Sequence, residues 1–119
     1  MTKKRRRLTP HDQSLERITS NLTRIGEDPS EIEWVISEGI WLKDHSTAMK
    51  SLCDLIIIYA GDIGIPAELK GNMHQRGKAL KQLLAGKEFI ETELGLLVPY
   101  GKFIVYRELN YNVERIDYR

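Results

Sequence analysis

Leu52-Cys53-Asp54-Leu55-Ile56-Ile57-Ile58-Tyr59, followed across a turn by Ile65-Pro66-Ala67-Glu68-Leu69-Lys70, is the stretch on which the fold turns. The first segment is rich in β-branched side chains and apolar without a break after Asp54, the pattern of a central strand covered on both faces. Ala60-Gly61-Asp62-Ile63-Gly64 supplies the turn. The second segment reads as a short strand antiparallel to the first, with Pro66 near its start, where a missing N–H donor does least harm. Together they form a hairpin.

On the N-terminal side, Thr9-Pro10 marks a helix entrance, with Thr9 as N-cap and Pro10 at the first helical position. Leu15, Ile18, Leu22 and Ile25 recur three and four apart, which predicts an amphipathic helix over about 10–25, closed by Gly26. Glu27-Asp28-Pro29-Ser30 is a loop. In 31–42, Ile32, Trp34 and Ile36 alternate with Glu33 and Val35 as in a half-buried strand, although Pro29-Ser30-Glu31 could also open a short helix; we take the strand. On the C-terminal side, Leu80, Leu83, Leu84 and Ile90 share a face, giving a helix within 73–94 that Gly95 ends. Lys102–Glu108 reads as a further strand, and 111–118 is a last element of undecided type. Helix, strand, hairpin, helix, strand is the order of an α/β sandwich.

The 119 residues, 41% hydrophobic and 29% charged, suit one globular domain over 9–119 and leave no room for separate cofactor and substrate domains. A single cysteine, Cys53, excludes an internal disulfide. The absence of an apolar run of about 18 residues or of a secretory leader points to a soluble, cytoplasmic protein with no membrane partner. The formal charge of +1 is unevenly spread. Lys3, Lys4, Arg5, Arg6 and Arg7 form a basic arm within 1–8, and the remainder carries 13 basic against 17 acidic residues. Such a run is a solvated arm or a contact for phosphate, and its sign suits a polyanionic partner.

Side chains alternate across a strand, so Glu68 and Lys70 project from one face while Leu69 points to the other. Pairing of the two strands brings Asp54, with thirteen residues between it and Glu68, toward it. Two carboxylates at that separation repel unless a cation lies between them, and a hard, oxygen-seeking ion such as Mg²⁺ or Mn²⁺ answers that need. Such an ion lowers the pKa of a bound water and offsets charge developing on a phosphate, with the Lys70 ammonium orienting the water or stabilising the transition state. That chemistry is phosphodiester hydrolysis.

Asp54-(x)13-Glu68-x-Lys70 on a hairpin, followed by an amphipathic helix, resembles the PD-(D/E)XK nuclease superfamily over roughly positions 10–108. That superfamily includes Holliday junction resolvases and many repair and phage nucleases. The residue before Asp54 is Cys53 rather than proline, and Pro66 lies unusually close to the catalytic strand. The resemblance implies the restriction-endonuclease-like fold, a three-layer sandwich with a mixed central sheet and flanking helices. It implies a metal held at Asp54, Glu68 and Leu69, and Lys70 as catalytic cation. It further implies an acid on the first helix, for which Glu16 fits best and Glu38 is a rival if 31–42 is helical, and a glutamine on the later helix, for which Gln82 fits best. Gln75 and Lys78 share that helix line and are expected to contact nucleic acid, as is the arm Lys3–Arg7.

His11, His45 and His74 lack metal-like spacing and read as surface residues; His74, close after Lys70, could touch a phosphate. Cys53 reads as a small buried hydrophobe. Trp34, Trp41 and the tyrosines read as core or interface aromatics rather than base-stacking platforms. The glycines make no phosphate loop. The function expected is a metal-dependent nuclease, on DNA ahead of RNA. A homodimer is expected because cutting two strands needs two sites related by a two-fold axis. The alternatives are a catalytically inactive nuclease-fold module that binds nucleic acid or a protein, and an α/β scaffold in which Glu68 and Lys70 face solvent far from Asp54.

Overall fold

The computed structural model describes residues 9–37, 53–107 and 110–118. The first helix, α1 (Pro10–Ser20), begins as read. Thr9 accepts from the Asp12 N–H at 3.1 Å while Asp12 accepts from the Thr9 N–H at 3.1 Å, a reciprocal capping box. It ends five residues short of Ile25. The Thr19 and Ser20 hydroxyls donate to the carbonyls of Glu16 and Arg17, and Asn21 is extended and caps a new 3₁₀ turn, Leu22–Ile25, through the Thr23 N–H. Local side-chain bonds from this Thr-Ser-Asn run compete with the helix ladder, while the Leu22 and Ile25 side chains stay buried in the turn that replaces it. Gly26 then reverses the chain at φ +78.

Among the described residues five strands follow: β1 (Ile32–Ser37), β2 (Leu55–Tyr59), β3 (Ile63–Lys70), β4 (Tyr100–Arg107) and β5 (Asn110–Asp117). The sheet order is β1-β2-β3-β4-β5, antiparallel except for β3 and β4, which run parallel through the crossover helix α2 (Arg76–Glu93). β1 confirms the strand reading over Ile32–Ser37, and the rest of 31–42 lies outside the described residues. Trp34 is 66% exposed, so the strand is less buried than its alternation implies; it lies at a sheet edge, with a register shift between Ile32 and Trp34. The undecided 111–118 is strand β5.

Pro66 lies at the fourth of eight residues of β3, not near the strand's start. The Gly64 N–H points away from β2, to the Leu97 carbonyl at 2.9 Å, and Pro66, two residues on, shares that edge. Parallel pairing with β4 begins only at Ala67, so the ring fills a gap in the ladder. Gly101 stands opposite, where a Cβ would come within 3.3 Å of the ring.

Alternation splits the core into two. On one face Leu55, Ile57, Ile65, Ala67, Leu69 and Ile104 pack against Ile18, Leu22 and Ile25. On the other, Ile56, Phe103 and Val105 pack against Ala79, Leu83 and Ile90 of α2. The architecture is helix, mixed sheet, helix. Under the first helical layer, Lys102 of β4 is buried and pairs with Glu27 at 2.5 Å, donates to the Ile25 carbonyl, and shares Glu27 with the hydroxyls of Tyr59 and Tyr100. This clamp ties the 3₁₀ turn to β2 and β4.

Two helical glycines differ in what surrounds them. A Cβ on Gly86 would lie 2.7 Å from the Cys53 sulfur and 3.2 Å from Pro66, whereas one on Gly77 meets nothing. Gly77→Ala is therefore expected to raise stability by about 0.5–1 kcal/mol through helix propensity. Gly86→Ala is expected to lower it by about 1–2 kcal/mol, because overcrowding the α2–β3 contact outweighs the same gain. Urea denaturation of the two variants measures both signs.

Candidate active site at the end of the central strands

The register Leu55↔Ala67 sets Asp54, one residue before β2, beside Glu68 of β3. The two are joined through the backbone: the Asp54 N–H donates to Glu68 Oε1 at 2.9 Å and the Leu69 N–H donates to Asp54 Oδ2 at 2.8 Å. Asp54 is 6% exposed and Glu68 1%. Lys70, on the same strand face as Glu68, places Nζ 3.2 Å from Glu68 Oε2. The sequence-predicted trio thus converges in one cleft of about 460 Å³, which Gln75 and Gln82 of the α2 side also line.

The same cleft holds two residues outside the sequence-predicted set. His11, at the second position of α1, lies with Nε2 3.1 Å from Asp54 Oδ2 and its ring edge-on to Tyr106, centroids 6.0 Å apart. The reading of His11 as a surface residue is corrected: its side chain is 30% exposed and engages Asp54. The helix start at Thr9-Pro10 was visible in sequence, but nothing local places that start over a carboxylate 43 residues away. Tyr106 had only its strand position to mark it.

Burial pushes the Glu68 carboxyl up to about 8, and the neighbouring Asp54 charge adds to it against the opposing pull of Lys70. Burial also acts on Asp54, but the His11 hydrogen bond and charge, with the Leu69 N–H, outweigh it and hold this carboxyl below the usual range. The two acids share a single negative charge near neutrality, on Asp54. The linkage sign follows. Folded Glu68 keeps its proton from pH 4.5 to about 8 whereas the unfolded residue loses it, so stability falls as pH rises through that window. Metal-free wild type is expected to lose on the order of 3 kcal/mol between pH 5 and 8. Glu68→Gln, which keeps the shape of the protonated acid, should flatten the profile; thermal melts in chelator across that range measure it.

The oxygens available here suit a hard divalent cation. Asp54 and Glu68 supply carboxylates. Gln82 Oε1 is buried and has no hydrogen-bond partner among the described residues. The Leu69 carbonyl lies on the strand edge from which the Leu69 N–H reaches Asp54, past the start of β2. Among the described residues no group of three or more His, Cys, Asp and Glu side chains is arranged for a metal, so a cation here would draw on the amide and main-chain oxygens as well.

Other predicted residues fall elsewhere. Glu16 is exposed on α1, in a separate shallow groove with Gln13, Arg17 and Ser20, and does not line the cleft. Five residues on from His11, its side chain projects about 140° around the helix from the face that carries His11, which is the physical reason the cleft excludes it. Lys78 is exposed on α2 and does not line the cleft, and His74 is exposed in the 3₁₀ turn Met73–Gln75. Glu38, Trp41, His45 and the arm Lys3, Lys4, Arg5, Arg6 and Arg7 lie outside the described residues. No described helix is long and apolar enough to cross a membrane. No family model, curated protein or solved structure matches the chain.

Proposed function

We propose that this protein is a metal-dependent nuclease that hydrolyses phosphodiester bonds, in DNA ahead of RNA, on a restriction-endonuclease-like fold. The observation that carries the reading is the convergence, in one cleft, of Asp54, Glu68, Lys70 and the unpartnered Gln82 oxygen. A fold evolved for stability alone gains nothing from two adjacent buried acids, one of which must keep its proton up to about 8; a bound cation gives both charged forms a partner. The helix–sheet–helix layering, with the acids on the antiparallel hairpin and a helix leading to a parallel strand, supports the same reading.

In this reading Mg²⁺ or Mn²⁺ supplies Lewis acidity toward the phosphate and lowers the pKa of its water. The chain's own residues do the rest. His11 and the Leu69 N–H fix Asp54 in one rotamer and keep it ionised, and Glu68 gives up its proton when a cation takes that proton's place. Lys70, freed from part of its pairing with Glu68, holds positive charge toward the phosphate oxygens. Gln82, which lines the same cleft, has a buried amide oxygen to offer. A two-fold dimer would present two such clefts to the two strands of a duplex. The free, buried Cys53 supports a cytoplasmic setting.

One observation favours a second reading. Asp54 Oδ2 and both Glu68 oxygens already have partners within the chain, an arrangement a non-catalytic nucleic-acid module could retain. Labelled single-stranded, duplex, flap and four-way-junction DNA, with RNA alongside, decide between them. Cleavage that needs Mg²⁺ or Mn²⁺ and is lost in Asp54→Asn establishes the nuclease. Binding without cleavage leaves the module.

A further inference from the structure

We propose that the groove at the opposite end of β3 from the acid cleft is a docking site for an arginine side chain presented by a partner protein. The groove opens beside Ile63 at the start of β3, whereas the cleft lies beside Lys70 at its end, about 20 Å along the strand. The inference goes beyond the nuclease reading and does not depend on it.

Three observations support it. The first is the shape of the groove and its walls. It encloses about 420 Å³, and Tyr59, Ile63, Pro99 and Tyr100, all half-buried, form much of its apolar surface. Both tyrosines donate their hydroxyls to the buried Glu27 carboxylate, which Lys102 holds in turn. The two rings are therefore fixed before anything binds, and an incoming group loses little to ordering them.

The second is charge. Glu27, Asp28 and Glu31 line the groove and no basic residue does. Lys102 offsets Glu27, so the uncompensated charge belongs to Asp28 and Glu31, both exposed. Asp28 Oδ1 accepts from the Ser30 N–H and hydroxyl. Asp28 Oδ2 and the Glu31 carboxylate have no partner among the described residues, whereas the carboxylates of Glu91, Glu114 and Asp117 each hold a cation. A rim of this kind attracts a cation and repels phosphate, which separates its occupant from any nucleic acid in the cleft.

The third is a guanidinium already in place on one of the two rings. Arg115, which does not line the groove, has its guanidinium carbon 4.0 Å from the Tyr100 ring centroid. A planar guanidinium covers a tyrosine face and bonds carboxylate oxygens in pairs, and an ammonium matches neither geometry. Walls of tyrosine beneath a rim of carboxylates thus select arginine over lysine. The lack of a lining base decides what carries it. The α-carboxylate of free arginine would meet Asp28 and Glu31 with nothing to neutralise it, while an arginine within a polypeptide brings no such charge.

The experiment is titration of the isotope-labelled full chain with N-acetyl-arginine amide, read from backbone amide shifts, with N-acetyl-lysine amide and free arginine run alongside. Saturable shifts are expected at Gly26, Asp28, Ala60 and Ile63, with a dissociation constant of about 1–10 mM for a probe of this size. The lysine amide and free arginine should each bind at least about fivefold more weakly. Asp28→Asn with Glu31→Gln, which keeps an oxygen for Ser30, should weaken the arginine amide about fivefold and leave the melting temperature unchanged. No saturation by about 50 mM, equal affinity for the lysine amide or free arginine, or an affinity the double variant leaves intact would each overturn the proposal. None of these readouts involves DNA or a divalent cation, so failure here and failure of the nuclease reading are told apart.

Discussion

Asp54→Asn abolishes metal-dependent cleavage, by about a thousandfold or more, while the protein melts within a few degrees of wild type. The two outcomes have separate causes. Asparagine keeps the side-chain shape and an oxygen for the Leu69 N–H, so the junction between β2 and β3 survives. It removes the one charge of the buried pair that is present near neutrality, and with it the hard anionic ligand a divalent cation needs. Loss of a preorganised electrostatic group in a water-poor cleft typically costs about 3–4 kcal/mol of barrier, which is two to three decades of rate, and loss of cation binding adds to that. Lys70→Ala is expected to cost nearly as much in rate. It also leaves Glu68 without its cation, so its carboxyl moves further up. Single-turnover cleavage with matched melting curves measures both variants. Cleavage by Asp54→Asn within tenfold of wild type would remove Asp54 from the chemistry.

The second large effect is on stability. Lys102→Met leaves the Glu27 carboxylate buried at 3% exposure with, among the described residues, the Tyr59 and Tyr100 hydroxyls as its hydrogen-bond donors, and it strips the Ile25 carbonyl of the lysine's bond. Removing one member of a buried ion pair costs about 3–5 kcal/mol, because the remaining charge loses its partner without regaining water. For a chain of this size that is a fall in Tm on the order of 10 °C. Adding Glu27→Gln to Lys102→Met should recover at least half of the loss, since the orphaned charge goes with it. A double variant no more stable than the single would show that the lysine acts through packing of its hydrocarbon stem rather than through charge.

How far the sequence revealed this molecule depended on distance along the chain. The capped start of α1, the β2–β3 hairpin and the helical period of α2 were legible because each is written in residues a few positions apart. The placement of Asp54, Glu68 and Lys70 in one cleft was legible for the same reason, since a hairpin register connects them. What escaped was what only tertiary packing decides. Pro66 looked like a strand-start residue because its tolerance depends on Gly101 of β4 across the gap in the ladder. His11 looked like surface because its partner is Asp54. Lys102 and Glu27, charged residues that composition assigns to solvent, are buried because they meet each other. Glu16 was chosen by its place on the helix rim, and the rim at that height turns away from the cleft.

That the three chemical residues sit on one hairpin has a bearing on how the chain folds. β2 and β3 are joined by a turn of three residues, so their contacts close a short loop, whereas pairing β3 with β4 must wait for all of α2 to be laid down between them. Contacts close in sequence form with the smaller entropic loss and tend to belong to the early nucleus. The carboxylates would then be forced together before the α1 terminus brings His11 or the crossover helix brings Gln82. In the nascent hairpin water still solvates both acids, and the layers that arrive afterwards complete the cleft and bury them, which is when the proton on Glu68 becomes favoured.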